Sequence, residues 1–320
     1  MNLTSTTQVD PAVSVYYDRI LLSRALPKLV HNRWAQKKSI KSKSGTMIKF
    51  RRYNSLSDAT TPLVEGTPPP GQQGNKTDLT AIASQYGDFV HITDVVDLTV
   101  EDAVLTEFNI LLGEQMGKTY DTLTRDILVA CATTTACAAG KNAHAPTEIT
   151  DADLGAAVDV LIGNNADYLT GVIKASTGVG TLPLAASFGG IFHSDLRTDF
   201  TGLDSWLPIE KYPNPGAAES YEEGRTDKIR WLMTTNASRI YHGIGGAHYL
   251  YNLLIFGKEA YGTIDIEGGN VKSIIKDFGS GGTKDALNQE CTAGWKGWWV
   301  AKILNDTFMF NLTASLSSIT

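Results

Sequence analysis

The residue types that most often carry catalysis are scattered along this chain. Among the six histidines only two close sets occur, His193 beside Asp195 and His242 near His248, and neither has the spacing of metal ligands on one helix face. The AASFG segment around Ser187 lacks the first glycine of a nucleophile elbow. The sequence contains no H-E-x-x-H motif and no phosphate-binding G-x-x-x-x-G-K-[ST] motif. These patterns predict no enzyme, no metal site and no cofactor.

Three further groups of residues have ordinary structural explanations. The glycine-rich segments 243–248 and 279–285 lack the spacing of nucleotide-binding loops, so we interpret them as turns or loops. The aromatic run GWKGWWVAK (294–302) could stack bases, but a sheet core or a subunit interface is the favoured interpretation. The odd number of cysteines argues against a disulfide framework and predicts small buried residues in a reducing compartment. These cysteines are Cys131, Cys137 and Cys291.

Charge is the first property that points to a function. The 320-residue chain has a net charge of −6, but 11 of its 28 basic residues lie between Arg19 and Ser57, where no acidic residue occurs. The remainder holds 17 basic against 34 acidic residues. Such asymmetry predicts a partner for the basic stretch, either nucleic acid or the acidic body of a neighbouring copy. A solvated surface is the ordinary alternative.

Composition excludes several other classes. Hydrophobic residues make up 42% of the chain, which is enough for a core, and no apolar run approaches the ~20 residues of a membrane span. The start, MNLTSTTQVDP, has neither the basic nor the apolar region of a signal peptide. We therefore expect a folded protein of about two ordinary domains, or one large domain with extensions, with much of its surface occupied by partners.

Hydrophobic periodicity predicts the elements of the first half. Residues 12–25 favour a short helix, and 26–35 a further turn or two after Pro27. Residues 46–93 are interpreted as one long hairpin whose Pro/Gly-rich tip projects rather than packs. Apolar side chains then recur at gaps of 3 and 4 from Val100 to about Cys131, which predicts a helix of ~48 Å.

Shorter elements alternate after Thr150. The patterns predict an α+β class with a mixed sheet. The predicted elements are a helix at 150–165, a strand entering a short helix at 189–200, a strand at 228–235, a helix at 245–260, and strands at 298–304 and 308–316.

Five segments in a fixed order resemble a known family. They are PLVEGTPPPG (62–71), SQYGDFVHITDVVDL (84–98), LLGEQMGKTYD (111–121), TTNA (234–237) and LNQECTAGWKGWWVAKILND (287–306). Together they resemble the major capsid proteins of N-four-like tailed bacteriophages, which have the HK-ninety-seven capsid fold. The resemblance covers roughly residues 15–312.

This resemblance implies a division of the chain. It implies an N-terminal arm at 1–45, an extended β-hairpin loop at 46–93, a peripheral domain with a spine helix at 94–149, a mainly axial domain at 150–285, and C-terminal strands at 286–320 that return to the peripheral domain.

The resemblance also implies a function. The chain is expected to self-assemble as hexamers and pentamers into an icosahedral shell around double-stranded DNA, in a virion made in the host bacterial cytoplasm. Expected partners are further copies of itself, a separate scaffolding protein, a portal, a decoration protein and non-specifically contacted DNA. The expected contact residues are those of the loop tip, Pro62, Leu63, Val64, Glu65, Gly66, Pro68, Pro69 and Pro70, and those of the basic arm, Arg24, Lys28, Arg33, Lys37, Lys38, Lys41 and Lys43.

Three alternatives remain at this stage. A nanocompartment shell of the same fold would need a cargo-binding inner face. An α+β enzyme would need a convergent polar pocket, and a nucleic-acid-binding protein would bind DNA with a strong dependence on salt. A virion decoration protein fits the long helix and hairpin poorly.

Overall fold

Two mixed β-sheets joined by one long helix make up most of the described chain. The computed structural model describes residues 30–41, 45–63, 65–66, 71–95, 104–141, 145–175, 182–242, 248–266, 271–282 and 285–317. The helices are α1 (Val104–Val129), α2 (Asp151–Gly163) and α3 (Arg197–Thr201). The strands are β1 (Gln36–Ile40), β2 (Met47–Tyr53), β3 (Lys76–Ile82), β4 (Ser84–Thr93), β5 (Thr134–Ala136), β6 (Phe188–His193), β7 (Trp206–Pro208), β8 (Glu222–Thr226), β9 (Ile229–Thr234), β10 (Arg239–His242), β11 (His248–Phe256), β12 (Tyr261–Ile266), β13 (Lys272–Lys276), β14 (Glu290–Ile303) and β15 (Met309–Ala314).

The strands form one five-stranded and one eight-stranded sheet besides a two-stranded ribbon. The smaller sheet has the order β1–β12–β14–β13, and β4 also pairs with β14. The larger sheet has the order β5–β15–β11–β6–β9–β8–β7, and β10 also pairs with β11. Parallel pairs (β1 with β12, β5 with β15, β6 with β9) occur beside antiparallel ones, so both sheets are mixed as expected.

The helix α1 packs on both sheets. Its first and middle turns place Leu112, Met116 and Tyr120 against Ala293 and Trp295 of β14. The fully buried Leu128, near its other end, belongs to the core of the eight-stranded sheet with Ile191 and Leu254. The 26 residues of α1 span about 39 Å, which lets one rigid element join the two layers.

A close approach between α1 and β14 depends on Gly297. A Cβ atom at this position would collide with the Tyr120 hydroxyl. Tyr120 is stacked on Trp299 with ring centroids 4.7 Å apart and makes an edge contact with Trp295 at 5.7 Å. The aromatic run therefore lies against the helix, as the sheet-core interpretation predicted.

The helix α2 covers the other face of the eight-stranded sheet. Its side chains Leu154, Ala157, Val158 and Leu161 are buried against that sheet. The Thr150 side chain caps the helix by accepting a hydrogen bond from the Asp153 backbone N–H at 3.3 Å. Helices consequently cover both faces at the centre of this sheet.

The predicted helix at 245–260 is wrong, because His248–Phe256 forms strand β11. Leu253 and Ile255 pack in the core beneath α2, whereas Leu254 and Phe256 pack in the core that contains the end of α1. A strand buried on both faces has a continuous apolar run, and periodicity does not distinguish such a run from a buried helix.

The predicted single hairpin at 46–93 is divided in the structure. Strands β2 and β3 pair antiparallel from Met47 opposite Ile82 to Tyr53 opposite Lys76. The Ala83 backbone N–H donates to the Thr46 carbonyl at 2.8 Å, and β4 then pairs along ten residues of β14 instead. The alternation of side chains predicts strands but does not identify their partners.

Other predicted elements differ mainly at their ends. The long helix ends at Val129, and residues 100–103 of its predicted start lie outside the described range, as does the predicted helix at 12–25. Of the C-terminal strands, β14 lies in the five-stranded sheet but β15 lies in the eight-stranded one. The three cysteines are buried and free, and burial raises the pKa of Cys131 and of Cys137.

Because α1 packs on both sheets, shortening a buried side chain near its C-terminal end should strongly lower the stability of the subunit. Leu128→Ala should lower the free energy of unfolding by about 3 kcal/mol, because it leaves a cavity in a fully buried site. Leu287→Ala, at a leucine that is 77% exposed, is the matched control and should change stability by less than about 0.5 kcal/mol. Urea denaturation of the dispersed subunit measures both, and equal midpoints for the two variants would contradict the assignment.

Candidate functional site: the arm junction and the projecting hairpin

The basic N-terminal segment meets the body of the protein at the buried carboxylate of Asp121. The Asp121 Oδ1 atom accepts the backbone N–H groups of Val30 at 2.9 Å and His31 at 2.8 Å. The Oδ2 atom accepts the His31 ring at 2.8 Å and the Asn236 side-chain amide at 2.8 Å. Burial alone would raise the pKa of Asp121, but the hydrogen bonds from His31 and Asn236 hold it below its usual value.

Further hydrogen bonds fix the same short segment. The Tyr261 hydroxyl of β12 donates to the His31 carbonyl at 2.5 Å, and the Thr124 hydroxyl of α1 bonds to the Asn32 side chain at 2.7 Å. The junction thus joins the arm to α1, to the five-stranded sheet and to the loop that follows β9. We call residues 30–32 with Asp121 and Asn236 the arm junction.

Sequence reasoning missed the arm junction. The available signal was an acidic residue on the buried side of a long apolar helix, since Asp121 is fully buried beside Tyr120. A charged group in such a position is expected to be paired. Neither Asn236 nor His31 carries a comparable signal, because their partners are distant along the chain.

The described residues of the predicted basic arm fall into two environments. Arg33 is paired internally, with its Nη2 and Nε atoms 2.9 and 3.0 Å from Glu219 Oε2. Lys37 and Lys38 of β1 and the following Lys41 are exposed, and within the described part of the chain no carboxylate lies at ion-pairing distance from them. Lys38 Nζ lies 4.7 Å from the centre of the Phe50 ring. Arg24, Lys28 and Lys43 lie outside the described residues.

Within the described residues, the apolar contact of the β2–β3 ribbon with the body lies at its base. Phe50 and Ala81 are buried there against Ile40 and Ile264. Beyond the base the ribbon is exposed on both faces, and Arg51 pairs with Asp78 across the strands at 2.8 Å. This exposed ion pair lowers the pKa of Asp78, chiefly through the hydrogen bond from Arg51.

The loop between these two strands exposes large apolar side chains. The Gln72 side-chain amide donates to the Ser57 carbonyl at 2.8 Å and so links its two limbs. Of the predicted tip residues, Pro62, Leu63, Glu65 and Gly66 are exposed, and Val64, Pro68, Pro69 and Pro70 lie outside the described residues. Leu63 is 77% exposed, and the ribbon and loop also expose Met47, Tyr53, Leu56 and Ile82. Such a surface on a two-stranded ribbon is typical of a protein-binding element.

The groups considered for catalysis do not converge. The Ser187 hydroxyl is buried and donates to the Ala185 carbonyl at 3.0 Å. His193 Nδ1 instead accepts the Asp195 backbone N–H at 3.1 Å, and burial lowers the pKa of His193. Among the described residues no cluster of three or more His, Cys, Asp or Glu side chains could hold a metal ion.

The fold is shared with capsid proteins of several bacteriophages. The capsid of Ralstonia phage GP4 matches with a TM-score of 0.64 and 13% identity, covering 91% of this chain and 89% of that one. The capsid of cyanophage Pam1 matches with a TM-score of 0.64 and 12% identity, covering 93% of both chains. The head structure of Helicobacter pylori bacteriophage KHP40 matches with a TM-score of 0.60 and 10% identity, covering 89% of both. No family model and no curated protein sequence matches the chain.

These matches cover nearly the whole of each chain. Coverage of about nine-tenths of each chain is too large for the likeness to rest on a single sheet motif. The chain therefore has the HK-ninety-seven-like capsid fold, and the α+β fold class predicted from the sequence is confirmed.

The arm junction predicts an acid-sensitive contribution to stability. Because the folded-state pKa of Asp121 is lowered, its contribution is fully present above about pH 4 and is lost as the pH falls through the folded pKa. Asp121→Asn should reduce the free energy of unfolding by about 3 kcal/mol at pH 7, since it breaks a buried charge-assisted network.

Denaturation of the subunit from pH 7 to pH 3 measures this contribution. The difference between wild type and Asp121→Asn should shrink as the pH falls, whereas Asp126→Asn, at the exposed carboxylate on the same helix, should behave as wild type. A difference that stays constant with pH would contradict the role given to the carboxylate.

Proposed function

We propose that this chain is a structural capsid subunit that assembles, as hexamers and pentamers, into an icosahedral shell around double-stranded DNA. The observation that carries the proposal is the match to bacteriophage capsid proteins across about nine-tenths of both chains. The mechanism is repeated association of identical surfaces, and no chemical turnover is involved. Its location would be the virion. No helix among the described residues is long and apolar enough to span a membrane.

We assign a role in the shell to each layer of the fold. The five-stranded sheet with α1 forms the peripheral domain, and the eight-stranded sheet with α2 forms most of the axial domain near the hexamer and pentamer axes. The ribbon and its loop form the extended loop that reaches a neighbouring subunit. These assignments rest on which elements pack together and on which apolar surface is left exposed.

The loop tip is the proposed contact with the neighbouring peripheral domain. Leu63 is 77% exposed in its own subunit, and this exposure costs hydrophobic free energy. Docking on a neighbour would bury Leu63 together with Leu56 and Tyr53 of the same surface. A closed shell sums many such symmetric contacts, so that individually modest interfaces give a stable particle.

The exposed part of the basic arm is the proposed electrostatic contact. Lys37, Lys38 and Lys41 would meet the acidic surface of a neighbour or the phosphates of packaged DNA. The excess of acidic residues outside the segment 19–57 supports the first partner. A separate scaffolding protein, a portal and a decoration protein complete the proposed partners.

The loop-tip contact is tested by one substitution with a closely matched control. Leu63→Asp should leave a folded subunit but prevent regular shells, because it places a charge in the buried contact. Leu182→Asp replaces a leucine of nearly equal exposure, 81% against 77%, in the axial layer, and should still allow shells.

Light scattering and negative-stain microscopy at moderate salt, with scaffolding protein added where needed, distinguish these results. Deletion of residues 62–74 should act as Leu63→Asp does. Normal shells from either loop variant would contradict the proposed contact. Failure of the wild-type chain to form regular particles under any of these conditions would contradict the proposed function.

The basic arm predicts a dependence of assembly on salt. The double variant Lys37→Glu with Lys38→Glu should reduce the yield of shells at about 0.1 M salt, where charges within about 10 Å still interact. A double variant with the same charge change elsewhere, Lys174→Glu with Lys258→Glu, is the control. Sedimentation of assembled particles across a salt series gives the yields, and equal yields for the two double variants would contradict a role of the arm.

A further inference from the structure

A groove of about 870 Å³ runs between α1 and the ends of β6 and β9. One wall is the face of α1 that carries Leu111, Glu114, Gln115 and Lys118. The other wall is formed by Ser194, Tyr221 and residues 233–236, and Val30 also lines the groove. We call this feature the arm groove, because Val30 is the first described residue of the arm.

Apolar side chains in the arm groove remain exposed. Leu111 is 54% exposed on the helix wall, and Tyr221 is 47% exposed on the opposite wall. Tyr221 has a backbone φ of +67°, which is unfavourable for a bulky residue, and its carbonyl accepts the Met233 N–H at 3.1 Å. Strain that places an aromatic ring in a groove indicates a binding role for that ring.

The position of Val30 shows at which end of the groove the preceding chain begins. Val30 is hydrogen-bonded to Asp121, which lies one helical turn beyond Lys118 on α1. From Asp121 back to Leu111 the helix rises about 15 Å, a distance covered by about ten residues of helix or five of extended chain. The chain that precedes Val30 therefore starts at one end of the groove and is long enough to fill it.

We propose that residues 12–29 of the same chain dock in the arm groove, with their apolar side chains against Leu111, Tyr221 and Met233. This segment, AVSVYYDRILLSRALPKL, is largely apolar and contains one acidic residue, Asp18. It is tethered at the groove by the arm junction, so its local concentration is on the order of millimolar before any contact forms. An untethered partner would have to displace it.

Docking would give the two parts of the arm different functions, attachment to the subunit and contact with partners. The apolar side chains of residues 12–29 hold the arm to its own subunit, while the basic side chains of β1 remain at the surface. The inference concerns contacts within one chain, and it can therefore fail or succeed independently of the proposed shell.

Hydrogen exchange of the full-length subunit tests the docking. Backbone amides of residues 12–29 should be protected in wild type and should exchange about tenfold faster in Leu111→Asp. Leu111→Met, which conserves volume, and Val160→Asp, at an exposed position on α2, should both keep the wild-type protection. An unprotected segment in wild type, or protection that Leu111→Asp leaves unchanged, would overturn the proposal.

Cross-linking distinguishes docking within a chain from docking on a neighbour. A chain carrying Leu22→Cys and Leu111→Cys should form an internal bridge with a short bismaleimide, while the three native cysteines are buried. Mixing chains that carry one substitution each should give no cross-linked dimer, either free or in shells. A dimer formed only in that mixture would mean that the groove holds a neighbour's arm and would overturn the proposal.

Discussion

A buried carboxylate can remain charged only where hydrogen-bond donors surround it, and the arrangement around Asp121 follows from this constraint. Its four donors come from the arm and from the loop after β9, and Tyr261 of β12 holds the same arm residues from the other side. Three of these donors belong to Val30 and His31, and the fourth belongs to Asn236, about 200 residues further along the chain. The arm, the long helix and both sheets are thus fixed relative to one another at a single point.

The long helix α1 connects the arm junction to both sheets. Its middle packs on β14 through Met116 and Tyr120, and its last turns pack against the eight-stranded sheet through Leu128. A 26-residue helix held at both ends and in the middle behaves as a rigid wall. Both sheets are linked to the arm junction, whereas the described part of the ribbon packs on the body through Phe50 and Ala81, with Ile48 and Leu79 partly buried beside them.

The sequence predicts those features whose signal is local. The 3.6-residue period of α1 and the acidic start of the segment 150–165 predict both major helices, and the resemblance of the five ordered segments to a known family predicts the fold. Strand β11 was predicted as a helix because burial on both faces removes the period of two. The partner of β4 and the donors to Asp121 were missed, since each depends on residues at least 90 positions away that periodicity does not connect.

The body is extensively packed, whereas the ribbon is exposed. This difference suggests how a shell of such subunits could form reversibly and still be stable. A two-stranded ribbon is at best marginally stable alone, and exposed side chains such as Leu63 and Tyr53 gain nothing until a second subunit covers them. Under the proposed loop contact, the ribbon would contribute little to folding and more to association. Because Asp121 and α1 already fix the body, such a contact would have to order little beyond the loop, which would keep its entropy cost low. Subunits built in this way can bind weakly in pairs and strongly in a closed particle.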